Sequence, residues 1–202
     1  MVSRELVLVP GLWMPGAAMA LLAGRLRRRG YAVRVFDYAG RGSHEANVEA
    51  LARFARGNAC FVGHSLGGVL VLDMLARHAE VAAQAVVLLG SPVRGCLAGR
   101  RFGSGRFGRW MLGACCPLWE ERAVSWTRGV PLGVIAGTLP LGLGRLVGGR
   151  LPDTNDGVVR VEETAVEGMT DRVLVRYPHS MLIASGSVAG LVDRFLAAGR
   201  FA

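Results

Sequence analysis

Short runs of uninterrupted apolar residues recur along the chain, and most are followed by a stretch with helical spacing. Leu6-Val7-Leu8-Val9 is the first, too short for a buried helix and closed by Pro10-Gly11, so it reads as a strand. A loop at Pro10 to Trp13 follows, then an apolar helix near Ala17 to Arg29 that ends at Gly30. Tyr31 to Tyr38 reads as a second strand and Ala39 to Ser43 as a glycine-containing turn. Val48, Leu51, Ala52 and Phe54 then mark one face of a helix over Glu45 to Arg56. The run Cys60-Phe61-Val62 supplies a third strand, with a helix behind it reaching about His78. Ala85 to Leu89, Gly133 to Ala136 and Arg172 to Arg176 supply three more strands, and Leu191 to Ala198 a closing helix. Strands that are apolar throughout and separated by helices predict a mostly parallel sheet of about six strands, covered on both faces. Ligands of such sheets gather at the carboxyl ends of the strands, so chemistry is sought in loops that follow strands.

Composition changes this picture little. The 202 residues are 51% hydrophobic, which suits one α/β domain with a full core. The formal charge is +9, and all 24 basic residues are arginine. A basic balance favours acidic partners and anionic surfaces. Here the arginines are spread along the chain and no nucleic-acid-binding signature accompanies them, so nucleic acid is not an expected partner. Cys60, Cys96, Cys115 and Cys116 show neither metal-ligand spacing nor a disulfide framework, which fits a reducing, cytoplasmic setting. The uncharged stretch from Leu6 to Gly24 looks superficially like a leader or membrane helix. Glu5, Pro10-Gly11 and Pro15-Gly16 interrupt that pattern, and no removable leader is expected. Gly129 to Gly144 is likewise uncharged but broken by Pro131 and Pro140. No membrane span is expected there, while a weak contact with a membrane surface stays open.

The third strand runs directly into Gly63-His64-Ser65-Leu66-Gly67-Gly68. Strand, sharp turn and helix in that order form the setting of a nucleophile elbow, in which the serine stands on a strained backbone and its neighbours must be small. Ser65 would sit at the sheet edge, with the first amide of the next helix, Leu66, aimed at the same spot. A serine needs a base held by a third group. Of the four histidines, His64 is locked inside the elbow, where its side chain should point elsewhere. His78 lies at the far end of the helix leaving Ser65, while His44 follows the second strand's turn and stays in play. His179 follows the last strand and is the preferred base. For the acid, Asp156 precedes Gly157-Val158-Val159, a tight turn able to aim a carboxylate back across the sheet edge. Asp153 in the same loop is the competitor, and Asp171 belongs at the opposite end of its strand. An oxyanion needs a second donor, for which Leu12 is the candidate and Trp13 stands behind it.

Val9-Pro10-Gly11-Leu12-Trp13, Gly63 to Gly68, Asn155 to Val159 and His179-Ser180-Met181-Leu182 occur in the order found in the compact bacterial lipases and esterases of the α/β-hydrolase fold, which this chain resembles nearly end to end. The resemblance implies a Ser65–Asp156–His179 triad acting on a small acyl or ester substrate through an acyl-enzyme, without metal or organic cofactor. It places Leu12 and Leu66 at the oxyanion and Trp13 and Met181 beside the substrate. It also marks 93–128 as the place of a cap over the site. The arginines and aromatics interleaved there would suit single-stranded nucleic acid, but the preferred reading of these residues turns the arginines outward and Phe102, Phe107 and Trp110 toward the mouth, with Trp119 and Trp126 as acyl-chain surface. Relatives usually carry His-Gly where this chain has Pro10-Gly11, a departure that bears on the geometry of the oxyanion loop. The same residues would serve an acyltransferase or a thioesterase, and a non-catalytic binding protein on the same fold is the remaining alternative.

Overall fold

The structure, a computed structural model, describes residues 4–142 and 149–202. Six strands form one parallel sheet: β1 (Arg4–Val9), β2 (Tyr31–Val35), β3 (Ala59–His64), β4 (Ala83–Leu89), β5 (Leu132–Gly137) and β6 (Asp171–Val175). Their order across the sheet is β2-β1-β3-β4-β5-β6, and every pairing is parallel. Among the described residues the α-helices are α1 (Ala20–Arg27), α2 (His44–Phe54), α3 (Leu66–Arg77), α4 (Leu97–Gly103), α5 (Arg106–Leu112) and α6 (Gly186–Ala198).

The uninterrupted apolar runs follow from burial of both faces of the sheet. Val7, Phe61, Val86, Leu88 and Val134 pack with Val48 and Leu51 of α2 and Leu70 and Met74 of α3. Their sequence neighbours Leu6, Leu8, Val62, Val87 and Ile135 belong to the opposite face, with Leu22 and Leu26 of α1 and Val192 and Phe195 of α6. Alternate residues thus enter different cores, and neither core tolerates a polar position. Phe61 and Phe195 are fully buried, one in each core. Truncating either to alanine costs about 3–5 kcal/mol.

The expected second strand is three residues too long. In the parallel register Leu8 pairs with Val35 and the Phe36 amide donates to the Leu8 carbonyl at 2.9 Å. The next rung needs an N–H at residue 10, which Pro10 lacks, so the ladder stops. The last helix is longer than expected: Ser185 caps it by accepting from the Val188 amide, and Gly186 and Gly190 in its first turns mask the helical pattern in the sequence. The β4–β5 connection holds two short helices and a 3₁₀ segment (Gly113–Trp119). Ser104-Gly105 separates α4 from α5. Phe102 turns inward as expected, but Phe107 and Trp110 do not: they are 66% and 62% exposed. Among the described residues no helix is long and apolar enough to cross a membrane, and the last two residues of the Gly129–Gly144 stretch lie outside the described residues.

Candidate active site

Ser65 stands between β3 and α3 with φ 53° and ψ −126°, a backbone state that side chains rarely adopt. Close packing holds it there. A Cβ on Gly63 would collide with the Gly68 backbone, and one on Gly67 would collide with the carbonyls of Val9 and Pro10. The Ser65 amide donates to the Leu89 carbonyl at 2.9 Å, which ties the elbow to the end of β4. Leu66 is the first residue of α3, so its amide has no partner within the helix and faces outward with the positive end of the dipole.

Asp156 and His179 meet at the same edge. Asp156 Oδ1 accepts from the Val158 and Val159 amides at 3.0 and 2.8 Å, which fixes the carboxylate plane. Oδ2 lies 2.7 Å from His179 Nδ1, and both residues are buried. A carboxylate only accepts, so Nδ1 carries the proton and Nε2 is left with a lone pair. The His179 amide donates to the Asp156 carbonyl at 2.9 Å, a second link between the two residues. Gly90 directly follows Leu89, the residue that receives the Ser65 amide, and has φ 54°. A Cβ there would stand 3.0 Å from Asp156 Oδ2 and 3.2 Å from His179 Nδ1. The serine and the imidazole–carboxylate pair are therefore neighbours across the end of β4. Among the described residues no hydrogen bond joins the Ser65 hydroxyl to His179.

The rival residues are engaged elsewhere. Asp153 has φ 59°, a side chain 63% exposed, and Arg160 at 3.8 Å. Asp171 is at the opposite end of β6, where it accepts from the Phe201 amide at 2.7 Å. His44 Nε2 lies 2.7 Å from Asp73, whose other partner is Arg122 at 3.1 Å. Burial would raise the Asp73 carboxyl, but these two partners outweigh it and hold the group below its usual range. His78 bridges Glu49 and Glu80.

His64 departs from the expectation. Rather than pointing away, it is 1% exposed, lies with its ring centroid 4.7 Å from that of His179, and reaches the His179 carbonyl with Nε2 at 3.2 Å. The signal was present in strand parity: Cys60, Val62 and His64 share one face of β3, the face on which Leu182 and the C-terminal helix pack.

Ser65, His64 and His179 line a cavity of about 380 Å³ with Leu12, Trp13, Phe102, Trp119 and Val159. Its described lining contains no arginine, aspartate or glutamate. Met181 is not part of the lining; Ser180 is. Trp126 instead donates to the Val130 carbonyl at 2.7 Å, outside the cavity. Cys96 lines the cavity as well, but burial, and then the Glu163 charge, push its thiol up to about 12, so it is inert. A larger depression of about 490 Å³, lined by Arg94, Arg122, Arg160 and Glu163, holds no nucleophile. Among the described residues no three His, Cys, Asp or Glu side chains are grouped to hold a metal. Between the cavity and Pro10, the loop is fixed by the Tyr38 hydroxyl on the Pro10 carbonyl (3.0 Å) and the Trp13 indole N–H on the Met111 carbonyl (3.1 Å). Trp13 itself has φ 60°.

Residues 6–200 match the model of the alpha/beta hydrolase family. The chain belongs to that family. Over 98 residues this alpha/beta hydrolase is 35% identical to the pimeloyl-[acyl-carrier protein] methyl ester esterase of Vibrio cholerae, covering 45% of this chain and 38% of that relative's length. A pyrethroid hydrolase from Sphingobium faniae superposes with a TM-score of 0.64 at 15% identity, over 98% of both chains. A structure from the carboxylesterases of Nitrososphaera gargenis gives a TM-score of 0.65 at 13% identity, over 98% of this chain and 91% of that chain. A thioesterase of prodiginine biosynthesis in Streptomyces coelicolor gives 0.59 at 16%, over 97% and 84%. At such identities the solved structures speak for the fold.

Proposed function

We propose that this chain is a serine hydrolase that cleaves esters of uncharged, apolar acyl groups. The observation that carries the reading is the buried 2.7 Å contact between His179 Nδ1 and Asp156 Oδ2, set beside a serine at φ 53° on the wall of an uncharged cavity. In this reading Ser65 Oγ attacks the ester carbonyl carbon while His179 Nε2 takes its proton. Asp156 keeps the imidazole in the tautomer that makes Nε2 the base and stabilises the cation that forms. The amides of Leu66 and Leu12 donate to the oxyanion. The proton then passes to the departing alkoxide, and water repeats the sequence on the acyl-enzyme. The 93–128 segment acts as the cap, with Phe102 and Trp119 over the acyl group and Trp13 at the mouth. Desolvating a charged acyl group in such a cavity without a partner would be costly, so neutral substrates are preferred.

A fluorophosphonate probe and a series of p-nitrophenyl esters test the reading. Wild type labels at Ser65 and hydrolyses the esters; Ser65→Ala does neither. Folded wild-type protein that fails in both assays refutes it. A second reading, transfer from or hydrolysis of a carrier-bound acyl group, is favoured by the acid-free stretch from Val81 to Trp119. That stretch holds Arg94, Arg100, Arg101, Arg106 and Arg109 on and around the cap, and suits an acidic carrier. Competing alcohols and acyl thioesters in the same assay separate the two.

A further inference from the structure

We infer that His64 is a positioning residue, which clamps the backbone of His179 and so fixes where the base presents Nε2 to Ser65. The inference rests on the roles proposed above for Ser65, Asp156 and His179.

Residue 179 is held on both sides. Its amide donates to the Asp156 carbonyl at 2.9 Å, and its carbonyl receives His64 Nε2 at 3.2 Å. With the peptide groups on either side fixed, the Cα–Cβ direction of residue 179 is set and only rotation of the ring remains free. The His64 ring also packs against the His179 ring, at 4.7 Å between centroids and 44° between planes. On its other edge, Nδ1 stands 3.2 Å from the place a Cβ on Gly11 would occupy, and that same place is 3.0 Å from Ser65 Cβ. His64 is therefore a wedge between the turn that carries the base and the loop behind β1, anchored in the elbow itself.

Chemistry explains why an imidazole suits this place. A carbonyl can only accept, so Nε2 must carry the hydrogen and Nδ1 must be unprotonated. Nδ1 has no hydrogen-bond partner among the described residues, so nothing there stabilises a second proton. Burial first, and the charge of His179 second, push the His64 ring down to about 3, and it stays neutral at working pH. A neutral ring donates to the carbonyl without placing a second cation beside His179 as that residue takes the proton of the serine. Phenylalanine would fill the same volume but leave a buried carbonyl unpaired. Glutamine has an amide N–H with nearly the same reach as Nε2.

His64→Phe and His64→Gln test the inference in the full chain, with p-nitrophenyl butyrate as substrate and thermal melting as the check on folding. His64→Phe is expected to lower kcat 10- to 100-fold with KM within threefold of wild type, and His64→Gln to recover most of kcat. A second readout does not depend on turnover: the far-downfield proton resonance of the His179–Asp156 hydrogen bond. It should be sharp in wild type and His64→Gln, and broadened in His64→Phe. If His64→Phe does not fold, His64→Leu takes its place in both arms. A folded apolar variant with kcat within twofold of wild type, or one impaired no more than His64→Gln, overturns the inference, as does an unchanged resonance. If wild type itself is inactive and Ser65 unlabelled, the proposed function fails, and the resonance still decides the clamp.

Discussion

The backbone at Ser65 supplies a prediction that does not depend on catalysis. At φ 53° and ψ −126° the residue occupies a region in which glycine is at ease and a residue with a Cβ is strained by roughly 1–3 kcal/mol. Ser65→Ala removes the hydroxyl and keeps the strain. Ser65→Gly removes both, at the expense of about 0.4–1 kcal/mol for the extra freedom of glycine in the unfolded chain. The hydroxyl makes no capping bond to α3, so its loss alone should change stability by less than about 0.5 kcal/mol. The difference between the two variants isolates the backbone. Ser65→Gly should exceed Ser65→Ala by about 1 kcal/mol, or roughly 2–4 °C in Tm for a chain of this size. Urea denaturation with a common m-value and differential scanning calorimetry both read this quantity. Ser65→Gly equal to or less stable than Ser65→Ala would refute the strain and, with it, the account of why the turn presents the serine.

Other outcomes follow from the neighbouring contacts. Asp156→Asn should keep the bonds from the Val158 and Val159 amides but turn an N–H donor toward His179, forcing the wrong tautomer. A loss in kcat of about 10⁴ is expected, against no change for Asp153→Asn. Trp13→Phe keeps an aromatic ring 6.0 Å from Phe102 but removes the indole bond to the Met111 carbonyl. With about 0.5–1.5 kcal/mol for that bond, kcat on a short ester should fall roughly 3- to 10-fold. The third outcome concerns pH. The folded chain holds His64 at about 3 whereas the unfolded chain titrates near 6.5, so between those values only the unfolded state binds the proton. Stability is therefore lost as pH falls below about 6.5, by about 1.4 kcal/mol per unit. From about pH 7.5 to about pH 5, wild type should lose about 2 kcal/mol more than His64→Gln in urea titrations; an equal loss contradicts a buried neutral imidazole.

What could be read in the sequence was whatever depends on one segment alone. Leu6 to Val9 and Ala85 to Leu89 announce strands because both of their faces are buried, and Gly63 to Gly68 announces the turn because only small residues fit it. What was misread depends on a distant partner. The end of β2 is set by a missing N–H on Pro10, just past the end of the neighbouring strand β1. Phe107 and Trp110 are expected from sequence to face the mouth of the site, but α4 and α5 turn only Phe102 of that aromatic set toward the cavity. His64 was the costliest miss, since chain order places it beside the serine while its contacts lie with His179.

The choice between Asp153 and Asp156 shows how a two-residue difference becomes a difference in kind. Asp156 sits where the turn delivers two amides to one carboxylate oxygen, leaving the second oxygen free for an imidazole. Its seat also needs room on two strands. A Cβ at Gly137, the last residue of β5, would stand 2.7 Å from Asp156 Cβ, and one at Gly90 would crowd both Asp156 and His179. The acid thus crosses the ends of β5 and β4 over a floor of missing side chains. Aspartate is common in turns and glycine is common at strand ends, so neither position is distinctive alone. Together they mark the path of a carboxylate toward a base from the neighbouring strand, and filling Gly137 with alanine should disrupt the pair as surely as removing the acid itself.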